Sequence, residues 1–147
     1  MSLMNSLEVG RNGLSVHGKR IELAAKNIAN LETPNYVRQI PVINATEDIS
    51  FHNLLNNMKE NVFATGTIPF ISGGVKFTGI VEDPTPGDRI YRPGHPDADE
   101  AGFIRASNVN PLVEMADASM AQRAYEASLG IMSITKAMAQ RAVDIGR

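Results

Sequence analysis

The densest group of chemically able side chains in this sequence is His95, Asp97 and Asp99, within PGHPDADE. An imidazole followed by alternating oxygen ligands suits a cation. The carboxylate spacing is not that of a calcium hand, however, and no second His/Asp cluster completes a zinc site, since His17 and His52 lie far off in sequence. The simpler reading is a structural loop whose Asp side chains accept bonds from nearby backbone N–H groups. Serine catalysis needs a nucleophile on a strained turn with a base in reach, yet there is no G-x-S-x-G and no Gly-rich phosphate loop. Ser72-Gly73-Gly74 comes nearest, and a hairpin turn explains it. The absence of cysteine excludes disulfides, thiolate metal sites and a Cys nucleophile. No catalytic residue, cofactor or metal is therefore expected.

Composition narrows the class further. A length of 147 residues fits one domain, and 43% apolar with 20% charged residues is globular rather than disordered. Fourteen basic against sixteen acidic residues leave a net charge of −2, which argues against a protein that neutralises nucleic-acid phosphates. Aromatics make up 5% with no Trp, so base-stacking platforms are thinly supplied. No apolar run approaches the roughly 18 residues needed to cross a bilayer, so no membrane insertion is expected. MSLMNSLEVGRNG has neither a basic n-region nor a continuous apolar stretch, and no cleavable secretory signal is expected.

The chain divides into residues 1–31, an N-terminal stem helix, 32–107, a turn-rich middle domain, and 108–147, a C-terminal stem helix. Seven of the eight prolines lie in the middle and the eighth, Pro111, opens the last helix. Proline is excluded from helix interiors, so this distribution marks both flanks as helical. Charge also segregates: five basic and three acidic residues over 1–46, five and nine over 47–107, four and four over 108–147.

In the first segment Leu7, Leu14, Ile21 and Ile28 recur every seven residues, with Leu3, Gly10, His17, Ala24 and Leu31 three positions on. This is a heptad stripe on a helix roughly 42 Å long. Gly10, Gly13 and Gly18 each cost about 1 kcal/mol relative to Ala, so the helix needs cover to form. Arg11, Lys19, Arg20 and Lys26 read as a solvated basic face, and His17 as a packed or interfacial histidine.

The last helix begins at Asn110, a good N-cap, followed by Pro111. Met120, Ala124, Ala127, Ile131, Ile134, Met138 and Ile145 form its stripe, broken by Arg141, and Gly146 is the expected C-cap. At roughly 52 Å this helix is too long for the middle to cover, so the terminal helices are expected to cover each other, with Gly10, Ala124 and Ala127 allowing close approach. In the middle, Phe51, Leu54, Leu55, Met58 and Val62 predict a short helix near 49–62. Val75–Val81, a Pro/Gly turn at Asp83–Gly87, Arg89–Arg92 and Phe103–Arg105 predict a small antiparallel β element. The fold class is α+β: long terminal helices paired as a coiled-coil-like stem, bearing a small β-containing domain.

The exit of the first helix is the most specific local signal. Asn30 can end the helix, Thr33-Pro34 forces an extended peptide, and Asn35 tolerates the left-handed conformation. AAKNIANLETPNY resembles the N-terminal signature of the bacterial flagellar rod and hook axial proteins, usually close to ANNIANANTPGY, with Asn35 where that pattern has Gly. IYRPGHPDADEAGFIRASNVNPLVEM looks like the stretch that marks the proximal-rod member of that family. SMAQRAYEASLGIMSITKAMAQRAVDIGR is similar to the family's C-terminal helix, with Ser128 replacing an expected Asn.

The resemblance covers about half the chain, including both ends, and leaves 40–75 unmatched. It implies a structural subunit of the proximal rod, not an enzyme. Such a subunit polymerises in a hetero-oligomeric helical assembly through its terminal helices, builds a torque-transmitting shaft and uses no cofactor. The implied partners are other flagellar rod proteins, the adaptor between rod and membrane ring, and the flagellar type III export apparatus. The implied location is the periplasmic rod of the basal body.

The assembly interface is expected at Leu7, Leu14, Ile21 and Ile28; at Asn27, Asn30, Thr33, Pro34 and Tyr36; and at Met120, Ala124, Tyr125, Ala127, Ile131, Ile134, Met138 and Ile145. Both helices are expected to order on incorporation, when their stripes gain partners. The alternatives are a secreted coiled-coil adaptor and, more remotely, a small metal-dependent enzyme using His95, Asp97 and Asp99.

Overall fold

The computed structural model describes residues 3–46 and 74–146. Its elements run α1 (Leu3–Ala29), β1 (Gln39–Ala45), β2 (Val75–Glu82), β3 (Arg89–Tyr91), β4 (Phe103–Arg105) and α2 (Pro111–Ile145). The architecture is α+β, with two long terminal helices paired as a stem and two small antiparallel sheets between them in sequence. No helix among the described residues is long and apolar enough to cross a membrane.

Capping chemistry sets the helix ends. The Asn110 side chain accepts from the backbone N–H groups of Leu112 and Val113, and Pro111 takes the first turn, where no N–H is missed. Gly146 closes α2 by donating its N–H to Val143 O at φ −83°, so its freedom to turn left-handed is not used. At the end of α1, Asn30 Nδ2 donates to Lys26 O (2.9 Å) and Thr33 Oγ1 donates to Asn30 Oδ1 (3.2 Å). Asn35 sits at φ 61°, and its N–H donates to Arg105 O, which ties the exit turn to β4.

The helices run antiparallel. Gly10 lies against Met132, Gly13 against Ser128 and Gly18 near Tyr125, while Asn27 meets Glu114. A Cβ on Gly10 would lie 2.7 Å from Met132 Cγ, and one on Gly13 3.0 Å from Ser128 Oγ. The helical glycines thus permit the close approach. The sheet of β1 and β2 lies against α1, where Phe77 and Val75 border Asn12, Ser15 and Val16. Val16, Leu23 and Ala24 on α1, Ala121 on α2, and Ile104 and Val109 are the buried apolar residues among those described.

The strand expectation is corrected in its connectivity. β2 pairs with β1, and β3 pairs with β4, so the three predicted strands do not form one element. Asp83–Gly87 is not a hairpin turn but a corner between the sheets. Asp83 Oδ1 accepts from Thr85 N (3.0 Å) and Thr85 Oγ1 (2.6 Å), while Pro84 and Pro86 supply no N–H to extend a ladder. β1 was not predicted, because Pro41 interrupts its alternation. A two-stranded sheet consists only of edges, where proline is tolerated. The register slips between Val42 and Ile43, opposite Gly79 and Phe77, leaving Thr78 as the extra residue of a bulge. The helix expected near 49–62 lies outside the described residues.

The corner gives a steric test. A Cβ on Gly87 would overlap the Ala106 carbonyl oxygen, whereas one on Gly94 meets nothing within 4 Å. Gly87→Ala should therefore destabilise by about 1–3 kcal/mol and Gly94→Ala by under about 0.5 kcal/mol. Urea unfolding followed by circular dichroism checks this, and equal midpoints for the two variants would contradict the packing.

Candidate assembly interface

One buried polar network joins the two helices to the middle. Asn27 on α1 is 1% exposed and Glu114 in the first turn of α2 is 2% exposed. Asn27 Nδ2 donates to Glu114 Oε2 (3.0 Å) and to Gln39 O (2.9 Å), while its Oδ1 accepts from Gln39 N (3.0 Å) and Tyr36 OH (3.0 Å). The other Glu114 oxygen takes Arg38 Nε at 2.6 Å. Arg38 also faces Asp117 (3.5 Å) and Asp83 (3.7 Å), so one guanidinium serves three carboxylates.

Asn108 completes the lattice. Its Oδ1 accepts from Arg38 N (2.6 Å), and its Nδ2 donates to Thr85 O (2.7 Å) and Asp83 O (3.2 Å). The bond to Glu114 is the main cause holding Arg38 above its ordinary pKa, against the opposing effect of burial. Burial first, then the Glu114 charge, raises the Tyr36 phenol.

The helix seam differs from the expected stripes. On α2 the buried positions are Glu114, Ala121, Ser128 and Thr135, a seven-residue repeat of mostly small or polar residues. Ser128 and Thr135 turn their hydroxyls onto the carbonyls of Ala124 and Ile131 in their own helix. The apolar stripe faces outward: Ile131 is 53% exposed, Ile134 63% and Ile145 87%, with Met120, Ala127 and Met138 exposed as well. Ala124 and Tyr125 are half-buried at its edge. On α1 the expected Leu7, Leu14, Ile21 and Ile28 are half-buried, and the buried positions are Gly10, Val16, Leu23, Ala24 and Asn27, with Val16 bordering Phe77 of β2. Of the exit residues, Asn27 is spent inside the chain, Asn30, Pro34 and Tyr36 are half-buried, and Thr33 is exposed. His17 is half-buried, and burial, then the Arg20 charge, lowers its pKa.

The loop that invited a metal reading is closed by its own backbone. Asp99 Oδ1 accepts from Phe103 N (2.8 Å) and Ala101 N (3.0 Å), and its Oδ2 pairs with Arg89 at 2.8 Å. His95 Nδ1 accepts from Asp97 N (3.2 Å). Arg89 lies 4.8 Å above the centre of the Phe103 ring, which packs edge-on to Tyr91. Among the described residues no three His, Asp or Glu side chains converge as a metal site.

Known proteins place this geometry in a family. The family described as "Flagellar basal body rod FlgEFG protein C-terminal" matches residues 100–145, which hold β4, the Asn110 cap and α2. The "Flagellar basal-body rod protein FlgC" of Buchnera aphidicola (subsp. Acyrthosiphon pisum) is 30% identical over 146 residues, covering 99% of this chain and 98% of the relative. The chain belongs to the flagellar basal-body rod protein FlgC family. The FlgC relative from Bacillus subtilis is 30% identical and that from Salmonella typhimurium 27%, each covering 100% of both chains. FlgC proteins are structural proteins of the basal-body rod.

Within this FlgC-family chain, sequence reasoning missed Arg38, Glu114, Asp117, Asp83 and Asn108. The available signal was Glu114, Ala121, Ser128 and Thr135 at seven-residue spacing, parallel to the more apolar stripe. Removing the guanidinium should be costly, because it strands a buried carboxylate. Arg38→Met should lower stability by about 3–5 kcal/mol, and a loss under about 1 kcal/mol in denaturant unfolding would contradict the network.

Asp83 and Asp99 both lie below the usual carboxylate range, the first through Thr85 and Arg38, the second through the Phe103 and Ala101 amides and Arg89. Their stabilising contribution is present above the ordinary Asp value of about 3.9 and lost as pH falls through the lower folded values. The Ala101 and Phe103 amide resonances should titrate together below that value, and a midpoint at or above it would refute the assignment.

Proposed function

We propose that the chain is a structural subunit of the flagellar proximal rod that polymerises axially through its terminal helices and performs no catalysis. The observation that carries this reading is the division of α2. Its small and polar heptad is consumed by α1, while its large apolar residues, Ile131, Ile134, Met138 and Ile145 among them, remain exposed. An apolar stripe along a helix of 35 residues suits burial against neighbouring subunits. Heterologous contacts whose rotation does not close on itself build an open shaft.

The buried apolar residues among those described are few and partly alanine, so the paired helices leave most of their large apolar side chains to contacts made on incorporation. The reading extends to other rod proteins and the rod-to-membrane-ring adaptor as neighbours. It includes passage through the flagellar type III apparatus and a periplasmic position in the basal body.

Ile131→Asp separates folding from assembly, because the side chain is exposed in the isolated chain. The variant should keep the helix content of the parent by circular dichroism yet fail to restore motility or enter purified basal bodies in a strain lacking the subunit. Ile21→Asp, at the edge of the seam, should fail in the same assay. Normal swimming with Ile131→Asp would count decisively against assembly through this stripe.

A further inference from the structure

The α1–α2 seam is built from residues that discriminate poorly between alternative alignments. Gly10 and Gly13 offer no side chain to interlock, and the facing positions repeat every seven residues as Ala121, Ser128 and Thr135. Sliding α2 by one heptad, about 10.5 Å of helical rise, would bring Thr135 to Gly13 in place of Ser128. Ala139 would then stand opposite Gly10 in place of Met132. Both replacements fit, since each puts a small side chain where a glycine leaves room. At these two glycine positions, packing admits both alignments of the helices.

The fourth member of the repeat is different. Glu114 carries a charge in a site 2% exposed, and its two oxygens are taken by Asn27 and Arg38. Arg38 cannot follow a sliding helix, because its N–H is held by Asn108 and its carbonyl accepts from Asp83 N at 2.9 Å. Asn27 is equally anchored to both backbone groups of Gln39. A slip toward the C-terminal end of α2 would place Ala121 against these fixed donors and strand the carboxylate. A slip the other way would bring up residues ahead of the Asn110 cap, which are not helical. We infer that Glu114, gripped by Asn27 and Arg38, is the register lock of the stem, selecting one of two sterically permitted alignments of α2 on α1. The lock fixes where the exposed apolar stripe stands relative to the two sheets. A single buried polar group setting helix register has a physical precedent in coiled coils.

The chain has no cysteine, so engineered pairs report without background. The Cβ position of Gly13 lies 3.7 Å from Ser128 Cβ, within disulfide reach. G13C/S128C reads the observed alignment, and G13C/T135C reads the slipped one. In the full-length chain under mild oxidation, followed by non-reducing electrophoresis and peptide mapping, the first pair should cross-link and the second should not. E114Q should raise cross-linking of the second pair relative to the first. E114A/A121E moves the carboxylate one heptad along and should reverse the preference by about tenfold or more. An E114A/A121E chain that still joins positions 13 and 128, or joins neither pair, would overturn the inference. The assay uses the isolated chain, so its outcome is independent of whether the protein assembles into a rod.

Discussion

The structure depends on a carboxylate buried where two helices and the middle region converge. A charge with 2% exposure is strongly unfavourable unless each of its oxygens finds a donor, and Glu114 finds Asn27 Nδ2 and Arg38 Nε. Meeting that requirement recruits distant parts of the chain. Arg38 is brought in by the exit turn after α1, Asn108 by the approach to α2, and Asp83 by the corner after β2. Each donor is itself held by backbone groups, so the site acts as a clamp and not as a loose surface ion pair.

The close helix seam follows from residues too small to keep the backbones apart. Gly10, Gly13, Ala121 and Ser128 let the helices approach closely, and that approach leaves no room between them for the large side chains. Those side chains lie on the outer face of α2. In a self-sufficient domain such a distribution would be inverted, with isoleucines and methionines inside and small polar residues at the edge. A helix pair with a small internal core and a long apolar exterior accords with a structural protein of the basal-body rod.

The middle region is held by side chains acting on backbone. Asp83 closes the corner between the sheets and Asp99 closes the loop before β4, each accepting two bonds from groups two to four residues on. The same bonds hold the histidine- and aspartate-rich loop in place. Asp99 is engaged at both oxygens, one by two amides and the other by Arg89.

Much of this protein was determined locally and was therefore legible in the sequence. The helix from Pro111 follows from an Asn cap and a proline, the exit after α1 from Asn30, Thr33-Pro34 and a left-handed Asn35, and strands β2, β3 and β4 from alternation. The two-helix stem with a β-containing middle follows from heptad spacing and from where the prolines fall. What the sequence left undecided are choices between surfaces. α2 carries two parallel heptads, one apolar and one small and polar, and hydrophobicity alone points to the wrong one as the seam. Only the glycines of α1, by setting how near the backbones come, together with Asn27 and Arg38, by demanding a buried carboxylate, decide that Glu114, Ala121, Ser128 and Thr135 turn inward. Strand pairing was undecided for the same reason. The partner of β2 is a proline-containing strand about thirty residues upstream in sequence, and only the tertiary fold brings such a partner into hydrogen-bonding reach.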